Sequence, residues 1–144
     1  MGTVTAIHIG KRSGLPMTPV EEAEIITDYG LEGDRNARAG SKRQVLMMPA
    51  EVLDRLGLEP GTVKENITTR GLDVMGLPRG ARVRVGEALL EVTLACTPCG
   101  LMNDIRPGLQ EELRGQRGML FRVLEGGRVR VGDPVEVVEV GEEV

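Results

Sequence analysis

Short runs of apolar residues, rich in valine and threonine and partly alternating with polar ones, recur along this chain and are cut apart by glycine and proline. "TVTAIHI" (3–9), "EAEIIT" (22–27) and "QVLMM" (44–48) read as strands. "VKENITT" (63–69), "ARVRV" (81–85), "ALLEVTLA" (88–95), "MLFRVLE" (119–125), "RVRV" (128–131) and "VEVVEV" (135–140) continue the series. Two segments space their apolar residues for a helix instead. In "PAEVLDRLGL" (49–58), Val52, Leu53 and Leu56 share a face, Pro49 suits the first turn and Gly57 the stop. In "GLQEELRG" (108–115), Leu109 and Leu113 stand four apart ahead of Gly115.

The punctuation adds a hairpin and a loop. "LEGGRV" predicts a tight hairpin, with Gly126 and Gly127 supplying positive φ angles. "DYGLEGDRNARAGSKR" (28–43) is polar, irregular and glycine-rich, so it reads as one long loop of the kind that carries function. "RVRVGEALLEV" (82–92) echoes "RVRVGDPVEVVEV" (128–140), and two similar hairpins arising independently account for this more simply than duplication. The expected fold class is mainly β, a closed or nearly closed barrel with a few short helices, and the final "GEEV" is expected to fray.

Length and composition narrow this further. The 144 residues suit a single domain, 1–144, which buries roughly 70% of its unfolded surface and needs neither disulfide nor metal to fold. Tyr29 and Phe121 are the only aromatics, so Val, Leu, Ile and Met must build the core. A net charge of −4 and the lack of stacking residues exclude a dedicated nucleic-acid binder. No segment is long and apolar enough to span a bilayer, and "MGTVTAIHIGKRSG" lacks the parts of a signal peptide. Two closely spaced cysteines without such a signal suit the reducing cytosol, so a cytoplasmic protein without membrane partners is expected.

Those cysteines, Cys96 and Cys99, stand in "LACTPCGLMNDIR" (94–106). Thr97 before a proline is pushed extended, and Pro98 then suits the second position of a β-turn with Gly100 fourth. Cys99 would sit at the tip of that turn, while Cys96, on the strand, would point elsewhere. Three arrangements fit the pair. Zinc needs at least three ligands, and one chain offers only these two and His8 unless a carboxylate joins or a dimer pools four cysteines. A redox pair wants a helix N-terminus in a βαβ setting. A single reactive thiol wants nearby cations, for which Arg106 and Arg117 are candidates.

Two other stretches carry chemistry. Gly30, Gly33 and Gly40 free a backbone on which Arg35, Arg38, Lys42 and Arg43 concentrate positive charge, a pattern for phosphate or carboxylate. In "PGTVKENITTRGLD" (60–73), Asn66 and Thr68 alternate and would face one cavity. His8, the only histidine, leaves a Ser-His-Asp arrangement unsupported.

In order, "GLEGDR", "ENIT", "TPCG" and "RGML…VLEGGRVRVGD" resemble the MOSC domain, found at the C-terminus of molybdenum-cofactor sulfurases and as small stand-alone bacterial proteins. The likeness runs from about Gly30 to Val137. It implies a barrel-like fold around a cysteine that handles sulfur or binds a metal-pterin. The Pro-Cys step gives that role to Cys99. The family's recurring steps fall on Gly33, Asp34 and Arg35, on Glu65, Asn66 and Thr68, and on Arg117 and Gly118, all of which except Glu65 the resemblance makes cofactor-binding.

The expected function is therefore carriage of sulfur as a Cys99 persulfide toward a metal-sulfur or pterin acceptor, or binding of the molybdenum cofactor. A cysteine desulfurase or another sulfur donor would be the partner. A non-catalytic module holding an anion through the Arg35–Arg43 loop is the alternative. Members of the family often carry a histidine soon after the "GDR" step, where this chain has Asn36. The desulfurase domain of full-length sulfurases is missing too, so no pyridoxal phosphate is expected in this chain alone.

Overall fold

The computed structural model describes residues 1–12 and 14–139. Among them the elements run β1 (Gly2–Ile9), β2 (Thr18–Val20), β3 (Glu22–Ile26), β4 (Gly30–Leu31), β5 (Val45–Pro49) and α1 (Ala50–Leu56). They continue with β6 (Ile67–Arg70), a 3-10 turn (Val74–Gly76), β7 (Arg82–Val85), β8 (Ala88–Ala95), α2 (Met102–Ile105) and α3 (Leu109–Glu112). Last come β9 (Met119–Glu125), β10 (Gly127–Arg130) and β11 (Pro134–Glu139). Residue 140 of the expected last strand and the final "GEEV", expected to fray, lie outside the described residues.

Seven strands, in the order β11-β7-β8-β9-β5-β6-β1, form a barrel that closes where Gly2 and Thr3 of β1 pair with Val135 and Pro134 of β11. The expected mainly β barrel is thus a closed one. Strand β2 adds to β1, and β10-β3-β4 make a small separate sheet. The pairing of β5 with β6 is parallel, so the chain must cross over between them, and α1 rides on that crossover.

Alternation builds the interior. In β7, Val83 and Val85 are fully buried between the half-buried Arg82 and Arg84, and Phe121 and Val123 of β9 flank the exposed Arg122. β5 is buried at all five positions because both of its faces are covered. Val45 and Met47 enter the barrel, Leu46 meets Leu120 and Cys96, and Met48 meets Val52, Leu53, Val63, Met102, Leu109 and Leu113. That last cluster seats all three helices on the outside of β5 and β6, next to the cleft described below.

Several expectations are corrected. Gly126 and Gly127 have no positive φ, and β10 pairs with β3 rather than turning back on β9. They are glycines because backbone crowds them: a Cβ on Gly126 would stand 2.5 Å from the Ile25 carbonyl oxygen, and one on Gly127 2.7 Å from Glu87 Cβ. The two "RVRV" phrases are not equivalent, since the first makes a hairpin with β8 while β10 and β11 belong to different sheets. Pro49 ends β5 and caps α1 rather than opening its first turn, and Gly57 supplies the left-handed cap at φ 67°. Strand β6 begins only at Ile67, because Lys64 takes φ 69° and breaks the extended run. Strands β2 and β4 and helix α2 are too short to leave a periodic signal.

Candidate functional site

The long loop is tied down at both ends. At its start Asp34 is buried and accepts hydrogen bonds from the Gly10 and Asn36 amides, at 2.8 and 3.2 Å. The Arg35 amide then donates to the Gly10 carbonyl at 2.7 Å. At its end the buried Gln44 donates to Asp28 Oδ1 and the Arg38 carbonyl, both at 3.1 Å, and accepts from the Val123 amide at 2.9 Å. Between these anchors Arg35, Asn36, Arg38 and Arg43 project from a loop whose stretch 35–43 contains no acidic residue.

They form one wall of a cavity of about 450 Å³. Lys64 and Asn66, just ahead of β6, and Arg117, just ahead of β9, close the polar side. Cys96, Cys99 and an apolar set, Leu46, Leu101, Met102 and Leu120, make the other side. No Asp or Glu lines the cavity. Five cations therefore face one cleft of an acidic protein, and among the described residues none of them has a carboxylate within 4.0 Å.

Arg117 is the unusual member. Only 6% of it is exposed, and its Nη1 is buried without a hydrogen-bond partner. Burying a charge is costly unless it is paired, so an orphaned guanidinium signals a site completed by something else. Gly118 follows at φ 106°, and a Cβ there would stand 2.8 Å from the Met47 carbonyl oxygen. Glycine at this step lets β9 start close against β5.

The thiols differ sharply. Cys96 continues the ladder, its amide donating to the Gly118 carbonyl at 2.9 Å, and its side chain is 8% exposed among Leu46, Leu94 and Leu120. Cys99 is exposed. The turn expected across Thr97–Gly100 begins instead at Cys99, whose carbonyl accepts from the Met102 amide at 3.0 Å. The strands on either side of the stretch, β8 and β9, pair antiparallel, which is not the βαβ setting of a redox pair. Cys96 does not point elsewhere, as expected, but lines the inner end of the same cleft. Arg106 stays out of the cleft, donating to the Leu56 carbonyl at 2.7 Å and pairing with Glu112 at 3.0 Å.

Of the residues singled out in the sequence, Cys99, Arg35, Asn66 and Arg117 meet at the cleft. Gly33, Asp34, Thr68 and Gly118 do not line it. Gly33 gives the φ 85° turn ahead of Asp34, and the Thr68 hydroxyl donates to Glu65 Oε2 at 3.3 Å instead of facing the cavity beside Asn66. His8 lies apart, in a depression with Pro16, Met17 and Gly61. Its Nδ1 is buried without a partner, and burial favours the neutral imidazole, lowering its pKa from the ordinary value.

The sequence reading passed over Lys64 and Gln44 and left Glu65 without a chemical role. Glu65 is fully buried, and burial raises its carboxyl pKa, opposed by its hydrogen bond from the Gly61 amide at 2.9 Å, by its own amide and by the charge of Arg117. Nothing in the local pattern signals a positive φ at Lys64, whereas a charge between Lys64 and Asn66 at a strand entrance was a visible anomaly.

A closed barrel that presents an exposed cysteine in a cationic cleft is the class of protein defined here. The MOSC domain profile matches residues 34–136, and the chain belongs to the MOSC domain family. It is similar to YflK of Bacillus subtilis (strain 168), 30% identical over 156 residues that cover 96% of this chain and 70% of that protein. It is also similar to YiiM of Escherichia coli (strain K12), 29% identical over 157 residues covering 95% and 69%. The crystal structure of YiiM from Geobacillus stearothermophilus superposes with a TM-score of 0.77 at 24% identity, covering 96% of this chain and 76% of that one, a likeness of fold.

Proposed function

We propose that this MOSC-domain protein holds a phosphate-bearing metal-pterin, the molybdenum cofactor or a ligand of that chemistry, in the cleft, with Cys99 as its sulfur ligand. The observation that carries the reading is the buried guanidinium of Arg117, unpaired in a cleft that also exposes a thiol. A cation with no carboxylate within 4.0 Å among the described residues suits an anion, and arginine forks suit phosphate. The donor set fits the group: cations without carboxylates for the phosphate, a soft sulfur for the metal, and Leu46 and Leu120 as an apolar wall for a flat ring. A cavity of about 450 Å³ lies in the range of small-molecule sites. Arg35, Asn66 and Arg117 would hold the organic part, and Gly33, Asp34, Thr68 and Gly118 would shape the walls that carry them. Among the described residues no group of three His, Cys, Asp or Glu offers a metal cage, so the metal would arrive in its organic ligand. When bound, the cofactor supplies redox chemistry that the side chains themselves lack.

Carriage of sulfur is the second reading, favoured by the exposure of Cys99. Its thiolate would attack the outer sulfur of a donor persulfide, forming Cys99–S–SH and releasing the donor thiol. A cysteine desulfurase is a fitting donor and a metal-sulfur centre a fitting acceptor.

One preparation tests both. The protein purified from a cofactor-producing host is assayed for molybdenum and for oxidised pterin, alongside Cys99→Ser and Arg117→Gln. Near-stoichiometric pterin in wild type and its loss in Arg117→Gln support cofactor binding. Intact mass without reductant, after an active desulfurase with cysteine and pyridoxal phosphate, reports the persulfide: a gain of one sulfur that only Cys99→Ser loses. Sulfur gain without pterin would transfer the function to the second reading, and absence of both would sink the proposal.

A further inference from the structure

We propose that Glu65 is the positioning residue and buried counter-charge of Arg117, and that an anion entering the cleft drives a proton onto Glu65, making anion binding and proton uptake one event. This rests on the anion reading of the cleft. Glu65 and Arg117 are oppositely charged and both buried, and each keeps one polar atom unsatisfied. Oε1 of Glu65 has no partner, nor has Nη1 of Arg117, and they form no ion pair within 4.0 Å among the described residues. Yet the charge of Arg117 acts on the Glu65 carboxyl.

Everything else around Glu65 holds it in place without neutralising it. On Oε2 the Gly61 amide donates from the turn at 59–64 and the Thr68 hydroxyl from β6, at 2.9 and 3.3 Å. Behind Gly61 lies the His8 ring of β1, kept neutral by burial, and a Cβ on Gly61 would stand 2.6 Å from it. Lys64, the neighbouring cation, lines the cleft. Burial disfavours the charged form of the Glu65 carboxyl, and Arg117 is a cation that supports it. An anion that takes the guanidinium cancels that support and adds a like charge nearby, which disfavours a buried carboxylate strongly. The cheapest response is protonation of Glu65, from solvent.

The sign follows from linkage. Proton uptake on binding means that affinity falls as pH rises, by up to tenfold per unit, between the carboxyl's free and bound values, and is flat outside that window. The probe is inorganic sulfate, which does not titrate over the range used. It is titrated into wild type and Glu65→Gln by calorimetry from pH 5 to 9, in pairs of buffers differing in ionisation heat. Infrared difference spectra watch the protonated carboxyl band. The expected result is up to one proton taken up per sulfate, a new carboxylic acid band, and falling affinity in wild type, with all three lost in Glu65→Gln. Should Glu65→Gln fail to fold, the proton count and band of wild type decide. Sulfate binding with no proton uptake, or with the same pH slope in Glu65→Gln, would overturn the coupling and leave the anion site standing. Absence of sulfate binding to either protein at any pH would bring down both.

Discussion

Asp34 and Asn66 are joined at a buried point: the Asn66 amide donates to Asp34 Oδ1 at 3.2 Å, while the same oxygen accepts from the Gly10 amide at 2.8 Å. Asn66 also donates to the His8 carbonyl at 3.2 Å and accepts from the Leu46 amide at 3.0 Å. Two side chains thus fasten the exit of β1, the cationic loop, β5 and the entrance of β6 around the cleft. Asp34→Ala strands several buried donors at once, so a loss of about 2–4 kcal/mol in urea denaturation is expected. Asp34→Asn keeps one acceptor and should recover part of it. A change below about 0.5 kcal/mol, the level of an ordinary surface substitution, would deny the tie any structural role.

Arg117 leads to a prediction of opposite sign. Once acid pH has protonated Glu65, Arg117 is a buried charge without a counter-charge, and an apolar side chain of similar length removes that cost. At acid pH Arg117→Met should therefore raise the stability of the sulfate-free protein by about 1–3 kcal/mol while abolishing sulfate binding. Thermal melts of the two proteins, each with and without sulfate, separate the effects. An Arg117→Met destabilised even at acid pH would mean that the guanidinium is satisfied in solution by water.

The barrel was legible because most of its strands obey a period of two, as in "ARVRV", where two valines enter the core and two arginines stay out. What the pattern missed depends on distant chain. Gly126 and Gly127 look like a hairpin, yet they are glycines because β3 and Glu87 press on their backbone. "VKENITT" reads as one strand, but Lys64 is left-handed, Glu65 is buried against the Gly61 turn, and Asn66 lines the cleft. The site was legible as a set of motifs, Cys99, Arg35, Asn66 and Arg117. Their supports were less so, since the anchoring by Gln44 and the burial of Glu65 appear only once the barrel has closed.

The two thiols should separate cleanly by reactivity. Iodoacetamide should alkylate the exposed Cys99 quickly and the buried Cys96 only as fast as the fold opens. Cys96→Ser sets a hydroxyl among Leu46, Leu94 and Leu120 with no partner, which is expected to cost about 1–3 kcal/mol. Cys99→Ser should change stability by less than about 0.5 kcal/mol. Mass-resolved alkylation rates and urea midpoints measure both, and equal rates for the two thiols would contradict the assigned burial.

His8 and Glu65, on either side of Gly61, should give the folding stability two pH slopes of opposite sense. For His8 the folded state favours the neutral ring, so its pKa lies below the ordinary 6.5. The unfolded chain then binds the proton more readily, and stability falls as pH drops below 6.5 toward the folded value. For Glu65 the folded value lies above the ordinary 4.5, so the folded state holds its proton more tightly. Stability conferred by that neutral acid is present below 4.5 and is lost as pH rises from there through the folded value. Urea denaturation across pH 4 to 9 should show His8→Gln flattening the first slope and leaving the second, with Glu65→Gln doing the reverse. Loss of both slopes in either single variant would mean that the two groups titrate as one unit through the Gly61 turn.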